Sequence, residues 1–233
     1  NALNNLVLSQ CPLAKDLSPL RRLKNLQWLN LSGLTKLEKL DALADLSNLD
    51  LEGCSSLVDV STLGTLSSLQ SLDLSSCSSL VDLSPLSGME SLQILNLSGC
   101  PALTDFSPLR SLSSLSSLDL GDCASLKDLS PLAGLTNLTE LRLGGCPLVT
   151  DLAPLLALDN LISLDLSGCS PELPLEDLGR FTGLRYLSLN NIDALESIDF
   201  LAEMEDLESL SLEGCSSLTN LDGLSGLTNL TEL

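Results

Sequence analysis

Leucines return along this chain at offsets of three and two, with polar residues between them. The run Leu69, Leu72 and Leu74 reappears as Leu92, Leu95 and Leu97 and again as Leu115, Leu118 and Leu120. Apolar residues alternating with period two predict a short strand whose two leucines point inward and whose intervening residue points outward. Behind it comes a second pattern, Asp82-Leu83-Ser84-Pro85-Leu86, repeated as Asp105-Phe106-Ser107-Pro108-Leu109 and Asp128-Leu129-Ser130-Pro131-Leu132. Serine before proline predicts a serine-capped helix start, with proline at the first helical position, where its missing N–H costs nothing. Leu86, Met89 and Leu92 follow at spacings of three, which favours a single turn of 3₁₀ or tight α-helix over a long helix.

The cysteines fix the period. They stand at 11, 54, 77, 100, 123, 146, 169 and 215, and the five successive gaps from Cys54 to Cys169 are 23 residues each. A fixed period this short means a solenoid, in which each unit is one strand-and-return element covered by its neighbours. Units start at Leu3, Leu26, Leu46, Leu69, Leu92, Leu115, Leu138, Leu161, Leu184 and Leu207, ten repeats with a stub from Leu230. The first, fourth and sixth positions are leucine in all ten. The gap from Cys11 to Cys54 is 43 residues, three short of two periods. The unit starting at Leu26 has therefore lost three residues, expected on the return side around Leu40 to Leu46. Stacked in register, the strands predict a parallel sheet backed by short helices, an arc with the sheet on its inner side.

The wording Leu-x-x-Leu-x-Leu-x-x-Cys, followed after one extra residue by x-Leu, resembles the leucine-rich-repeat family over the whole chain. The resemblance implies an α/β fold: a curved right-handed β/α or β/3₁₀ superhelix, its parallel β-sheet on the concave face, with residues 1–233 forming one solenoid domain. The half running from Asp128 to Leu138 looks like internalin-type bacterial repeats. The half Leu97-Ser98-Gly99-Cys100 is similar to repeats of plant disease-resistance receptors and of some protozoan proteins. These resemblances imply recognition in host–pathogen contact or in signalling. Neither Asn1–Asn5 nor Leu230–Leu233 reads as a polar cap, so the chain is expected to be a fragment lacking both caps. Apolar surface at such ends predicts end-to-end self-association.

Composition narrows the partners. Hydrophobic residues make up 44% of the 233, which predicts an ordered core, yet only 2% are aromatic. The net charge of −20 argues against a nucleic-acid binder, which relies on clustered lysine and arginine to release counterions. Charge is uneven: six of the eleven basic residues precede position 46, with four of the 31 acidic ones. Such a field favours another protein with a basic surface as partner. No uninterrupted apolar run of about 18 residues exists, so membrane insertion is not expected. A charged segment leading into an apolar run is missing from the N-terminus, so no secretory signal is visible. The compartment stays open, with unpaired thiols favouring the reducing interior of a cell.

Little in the chain points to chemistry. Cysteines one strand apart with parallel side chains lie too far apart for a disulfide, whose Cβ atoms sit about 3.8 Å from each other. Leu34 and Ile192 replace cysteine in two units, which marks the position as apolar and its thiols as buried and structural. Histidine is absent, and no Cys-x-x-Cys pair exists, so neither a metal site nor the usual general base is expected. No cofactor and no enzymatic activity follow. Asp16, Asp59, Asp82, Asp105, Asp128 and Asp151, just before the return turn, are expected to satisfy turn N–H groups locally. A second set lies on the outward strand position: Asp50, Asp73, Asp119 and Asp165, with Asn30 and Asn96 in the same row. Flanked by Glu52, Ser75, Ser98, Ser167 and Glu213, it makes an acidic, small-residue strip broken by Arg142. Large side chains suited to binding are few: Trp28 and Tyr186, with Arg142 and Arg185. The candidate partner-binding set is therefore Trp28, Asp50, Asp73, Asn96, Asp119, Arg142, Asp165 and Tyr186. The expected function is a protein–protein interaction scaffold that binds on the concave face. The alternatives are a recruiting arm for an enzyme domain elsewhere in the chain (E3 ligase, kinase or NTPase) and an adhesive or structural surface protein.

Overall fold

The computed structural model describes residues 3–40, 43 and 45–233. Packing divides the chain into two compact units, Asn1–Asp119 and Leu120–Leu233. The first holds six strands of three residues each: β1 (Asn5–Val7), β2 (Trp28–Asn30), β3 (Asn48–Asp50), β4 (Ser71–Asp73), β5 (Ile94–Asn96) and β6 (Ser117–Asp119). Each pairs in parallel with the next, fourth-position leucine against fourth-position leucine: Leu6 with Leu29, then Leu49, Leu72, Leu95 and Leu118. The second unit repeats the arrangement with β7 (Glu140–Arg142), β8 (Ser163–Asp165), β9 (Tyr186–Ser188) and β10 (Ser209–Ser211). Strand β2 pairs with β3 in the same register although 20 residues separate them in place of 23. The stretch expected to carry that deletion, Leu40 to Leu46, includes residues 41, 42 and 44, which lie outside the described residues.

Register follows from what the leucines need. In the unit starting at Leu69, Leu69, Leu72 and Leu74 are each at most 1% exposed, as are Leu80, Leu83 and Leu86 on the return. Burying a side chain of this size is worth roughly 1.5–3 kcal/mol, and here much of the cover comes from the adjoining units. Where a neighbour lies on one side only the cover thins: Leu3 is 42% exposed, and Leu6 and Leu8 are half-buried.

All nine returns seen among the described residues are 3₁₀ turns of three to six residues. Their three residues per turn match the leucine spacing of three. The serine, however, does not cap them. In the units carrying Ser-Pro it is the first helical residue, with proline second, and the cap position is held by Leu17, Leu83, Phe106 or Leu129 without a side-chain hydrogen bond. The turn starts one residue earlier than the Ser-Pro wording predicts, so the serine N–H itself needs an acceptor. Aspartate two residues upstream supplies it. The Ser84 N–H donates to Asp82 Oδ1 at 2.8 Å, Ser107 to Asp105 at 2.9 Å, Ser130 to Asp128 at 2.8 Å and Ala153 to Asp151 at 2.8 Å. Asp16 and Asp59 serve Ser18 and Ser61 in the same way, each at 3.0 Å.

The cysteines lie inside, as expected from the residues that replace them. None of the eight forms a disulfide; six are buried, with Cys11 exposed and Cys215 half-exposed. Inside the stack the thiols also have a polar duty. The Cys77 Sγ–H donates to the Leu51 carbonyl of the preceding unit at 3.3 Å, Cys100 to Leu74 at 3.2 Å, Cys146 to Leu120 at 3.2 Å and Cys169 to Leu143 at 3.2 Å. The acceptor in each case is the sixth-position leucine, just past the strand, whose carbonyl also takes a backbone N–H from its own unit, as Leu51 does from Cys54 at 3.1 Å. Burial pushes the thiols up to about 11 at Cys54, Cys100 and Cys169 and to about 12 at Cys146, which keeps them protonated as donors.

The residue before the cysteine turns the chain through the left-handed region. Glycine fills it at Gly53 (φ 67°) and Gly99 (φ 65°), but Ser76 (φ 57°) and Asp122 (φ 57°) adopt the same backbone despite their Cβ atoms. An L-residue there costs about 1–2 kcal/mol relative to glycine. Replacing exposed Ser76 by glycine should therefore stabilise the protein by about 1 kcal/mol, a rise of about 2–4 °C in thermal midpoint for a chain of this size; calorimetry of S76G against the parent checks it. Thiol labelling with a water-soluble disulfide reagent should modify Cys11 rapidly in the folded protein and leave Cys54, Cys77, Cys100, Cys146 and Cys169 untouched until denaturant is added.

Candidate functional site

Strand alternation turns the third and fifth positions of every unit away from the leucine core, onto one face of the sheet. In the first compact unit the fifth-position row runs Val7, Asn30, Asp50, Asp73, Asn96 and Asp119, each in register with the next. The third-position row holds Trp28, Asn48, Ser71, Ile94 and Ser117. Ile94 is 48% exposed and Trp28 is half-buried.

The acidic row does two jobs within the fold. Asp73 Oδ1 accepts the Ser75 N–H at 2.8 Å and the Ser75 hydroxyl at 2.6 Å, while its Oδ2 takes the Asn96 amide at 3.2 Å. Asp50 Oδ1 accepts the Glu52 N–H at 3.0 Å, and its Oδ2 takes the Asn30 amide at 2.5 Å. Asn30 and Asn96 close the same local turn onto Ser32 and Ser98. Each fifth-position carboxylate or amide thus pins the chain where it leaves the strand, and Asn–Asp pairs tie strand to strand. The candidates Asp73 and Asn96 are thus one hydrogen-bonded pair, and Asp50 is paired with Asn30, all facing solvent but engaged by their neighbours.

Asp50 and Asp73 stand side by side with no cation between them. Burial, together with the neighbouring Asp73 charge, raises the Asp50 carboxyl above its ordinary value, against the lowering pull of the Glu52 N–H. The turn aspartates go the other way. Hydrogen bonds from Ser18, Ser61 and Ser107 hold Asp16, Asp59 and Asp105 below the usual carboxylate range.

In the second unit the candidates Arg142, Asp165 and Tyr186 come together. With Ser163, Ser188, Ser209 and Ser211 they line a shallow depression of about 220 Å³ on the strand face. Arg142 pairs with Glu140 beside it on β7. Asp165 Oδ1 accepts the Ser167 N–H at 2.9 Å and hydroxyl at 2.6 Å, repeating the local turn of the first unit. Tyr186 is 43% exposed; its hydroxyl donates to Glu208 Oε2 at 3.2 Å, and the Arg185 guanidinium lies 5.8 Å from its ring centre. Arg185 also forms an ion pair with Glu208, its Nε donating at 2.8 Å. Glu208 was missing from the candidate list. Its signal is arithmetic: it stands one 23-residue period after Arg185, each of the two just before its strand, and therefore beside it in the adjoining repeat.

Comparison with known proteins agrees with this geometry. The family description "Leucine Rich repeats (2 copies)" matches residues 67–111 and 113–157. The chain is a leucine-rich-repeat protein. Internalin C2 of Listeria monocytogenes is 31% identical over 75% of this chain and 66% of its own, with a TM-score of 0.57. The Arabidopsis receptor kinase HAESA, solved with the peptide hormone IDA and the co-receptor SERK1, has a TM-score of 0.66 at 20% identity, over 98% of this chain and 45% of its own. TLR13, solved with ssRNA13, has a TM-score of 0.60 at 22% identity, over 89% of this chain and 39% of its own. The chain thus spans less than half the length of these two receptors. Among curated proteins, none matches the sequence. The leucine-rich-repeat fold is used mainly as a non-enzymatic binding scaffold, and its solved members carry both protein and RNA partners. Among the described residues no helix is long and apolar enough to cross a membrane.

The opposed carboxylate shifts give opposite pH signs. Between the ordinary carboxylate value and the raised Asp50 value the folded state holds the extra proton, so this group's share of stability falls as pH rises. The shares of Asp16, Asp59 and Asp105 are fully present above the ordinary value and are lost as pH falls through their lowered folded values. Carboxyl carbon titration by NMR should place Asp50 above and Asp105 below free aspartate, and Asp73→Asn should move the Asp50 midpoint downward by removing the adjacent charge.

Proposed function

We propose that this chain is a protein–protein interaction scaffold without catalytic activity of its own, engaging a partner through the outward face of its strands. The observation that carries the reading is the division of labour on that face. The fifth-position row closes turns and ties strands, whereas the third-position row presents larger side chains outward, Ile94 and Tyr186 among them exposed. Within each compact unit, an apolar or aromatic side chain held on rigid strands supplies contact area at little cost in conformational entropy. The net charge of −20 favours a partner with a basic surface and disfavours a polyanion such as RNA, whose phosphates the face would repel. Likeness to an internalin and to a peptide-hormone receptor kinase supports recognition or signalling as the setting.

The contacts assign different tests to the two rows. Lysine at Asp73 or Asp165 would disturb turns as well as any docking surface, so the informative changes lie at third positions. A pull-down with the parent should retain a partner that is lost with S71R and I94R combined in the first unit, or with Y186A in the second, while circular-dichroism melts of the variants stay within a few degrees of the parent. Retention of the same partner by all of these variants would move the binding surface off the strand face.

A further inference from the structure

The unit that begins at Leu161 breaks the repeat. Where the unit starting at Leu69 reads Leu80-Val81-Asp82-Leu83-Ser84-Pro85-Leu86, this one reads Glu172-Leu173-Pro174-Leu175-Glu176-Asp177-Leu178. The buried leucine moves one place later, to Leu173, and the 3₁₀ turn Leu175–Arg180 starts after Pro174 with no capping side chain. Gly179 lets this turn press against the next unit: a Cβ there would lie 2.6 Å from the Phe200 carbonyl oxygen. Between the rerouted segment and residues 194–200 runs a groove of about 480 Å³. That volume falls within the range of about 300–1,000 Å³ usual for small-ligand clefts. None of its lining residues belongs to a strand, so it lies apart from the face described above.

The lining has two chemistries. Buried Leu173 and Leu195, with half-buried Leu175 and Phe200, give it an apolar floor. Glu176, Glu196 and Asp199, all exposed, stand around that floor, and no lysine or arginine lines it. Arg180, on the same turn, is paired with Asp177 at 3.7 Å. Asp199 takes a hydrogen bond from the Asn220 amide at 3.1 Å. The compact unit around the groove carries nineteen acidic and four basic side chains, so its field draws in cations. One side chain combines a long apolar stem with a planar cation able to bond two carboxylates at once and to stack on an aromatic ring, and that is arginine.

We propose that this flank groove is a second binding site, which accepts an arginine side chain presented by an exposed segment of a partner protein. The arginine stem lies along Leu173, Leu195 and Phe200, and the guanidinium meets the carboxylates of Glu176 and Glu196. The site is independent of the strand face and stands whether or not that face binds.

The test is a titration of the ¹⁵N-labelled chain with the blocked pentapeptide Gly-Gly-Arg-Gly-Gly, beside versions carrying lysine or neutral citrulline in place of arginine. The arginine peptide should shift the amides of residues 172–176 and 194–200 in a saturable way, with the lysine peptide several-fold weaker and citrulline nearly silent. Exposed Glu176 and Glu196 tolerate replacement, and the E176Q/E196Q double variant should keep a dispersed parent-like spectrum while binding the arginine peptide at least tenfold more weakly, as expected for loss of two charge-assisted hydrogen bonds. Equal shifts from citrulline, equal affinity for lysine, shifts confined to strand residues, or no saturable shift up to several millimolar would each overturn the proposal.

Discussion

Everything in this protein depends on one constraint: a unit of 23 residues cannot bury its own leucines. The strand offers a fourth- and a sixth-position leucine, the return turn adds three or four more, and none is shielded until another unit lies against it. Parallel pairing in strict register is the arrangement that brings like positions together, leucine on leucine and cysteine behind cysteine. The loss of three residues in the unit starting at Leu26 is tolerated because it leaves the strand and cysteine frame intact, as the Cys54 thiol on the Leu31 carbonyl shows.

A coil this tight creates polar problems at each corner, and the sequence answers them with short local devices. Where the strand ends, a fifth-position aspartate or asparagine bonds the N–H two residues on. Behind it a thiol donates to the sixth-position carbonyl. Before the return, a second aspartate takes the first N–H of the 3₁₀ turn. Thiols suit the middle task because they are small and apolar enough to be buried, yet still donate while their pKa is raised by that burial. Among the described residues no buried side-chain nitrogen or oxygen is left without a partner. The acidic composition is partly a by-product of this arrangement, since both aspartate rows are spent on turns.

That accounting changes the meaning of the acidic strip. Read from the chain alone, Asp50, Asp73 and Asp165 form a docking surface defined by charge. In the structure each has Oδ1 engaged in a local turn, which directs the binding we propose to the third-position row and to places where the repeat departs from its own rule. The unit starting at Leu161 is such a place. Its 3₁₀ turn starts after Pro174, and a groove runs between this rerouted segment and residues 194–200.

Much of the fold was legible in the sequence because each feature is periodic: strands at Leu-x-Leu, 3₁₀ returns at spacings of three, buried thiols at a position leucine and isoleucine can also fill, and aspartates beside turn N–H groups. Periodicity reports which residues share an environment, and a solenoid repeats one environment many times. It does not report the phase of a turn by one residue, so the serine and proline of Ser-Pro each sit one place further into the 3₁₀ turn than their wording predicts, and the serine N–H is left to the aspartate upstream of the cap position. Nor does it report pairings that depend on the stacking of particular neighbours: the raised Asp50 carboxyl beside Asp73, Glu208 holding both Arg185 and Tyr186, or the gathering of Arg142, Asp165 and Tyr186 around one depression. Those were decided by tertiary structure, because they arise between side chains about 20 or more residues apart whose identities differ from unit to unit, while the spacing that brings them together is the same for all.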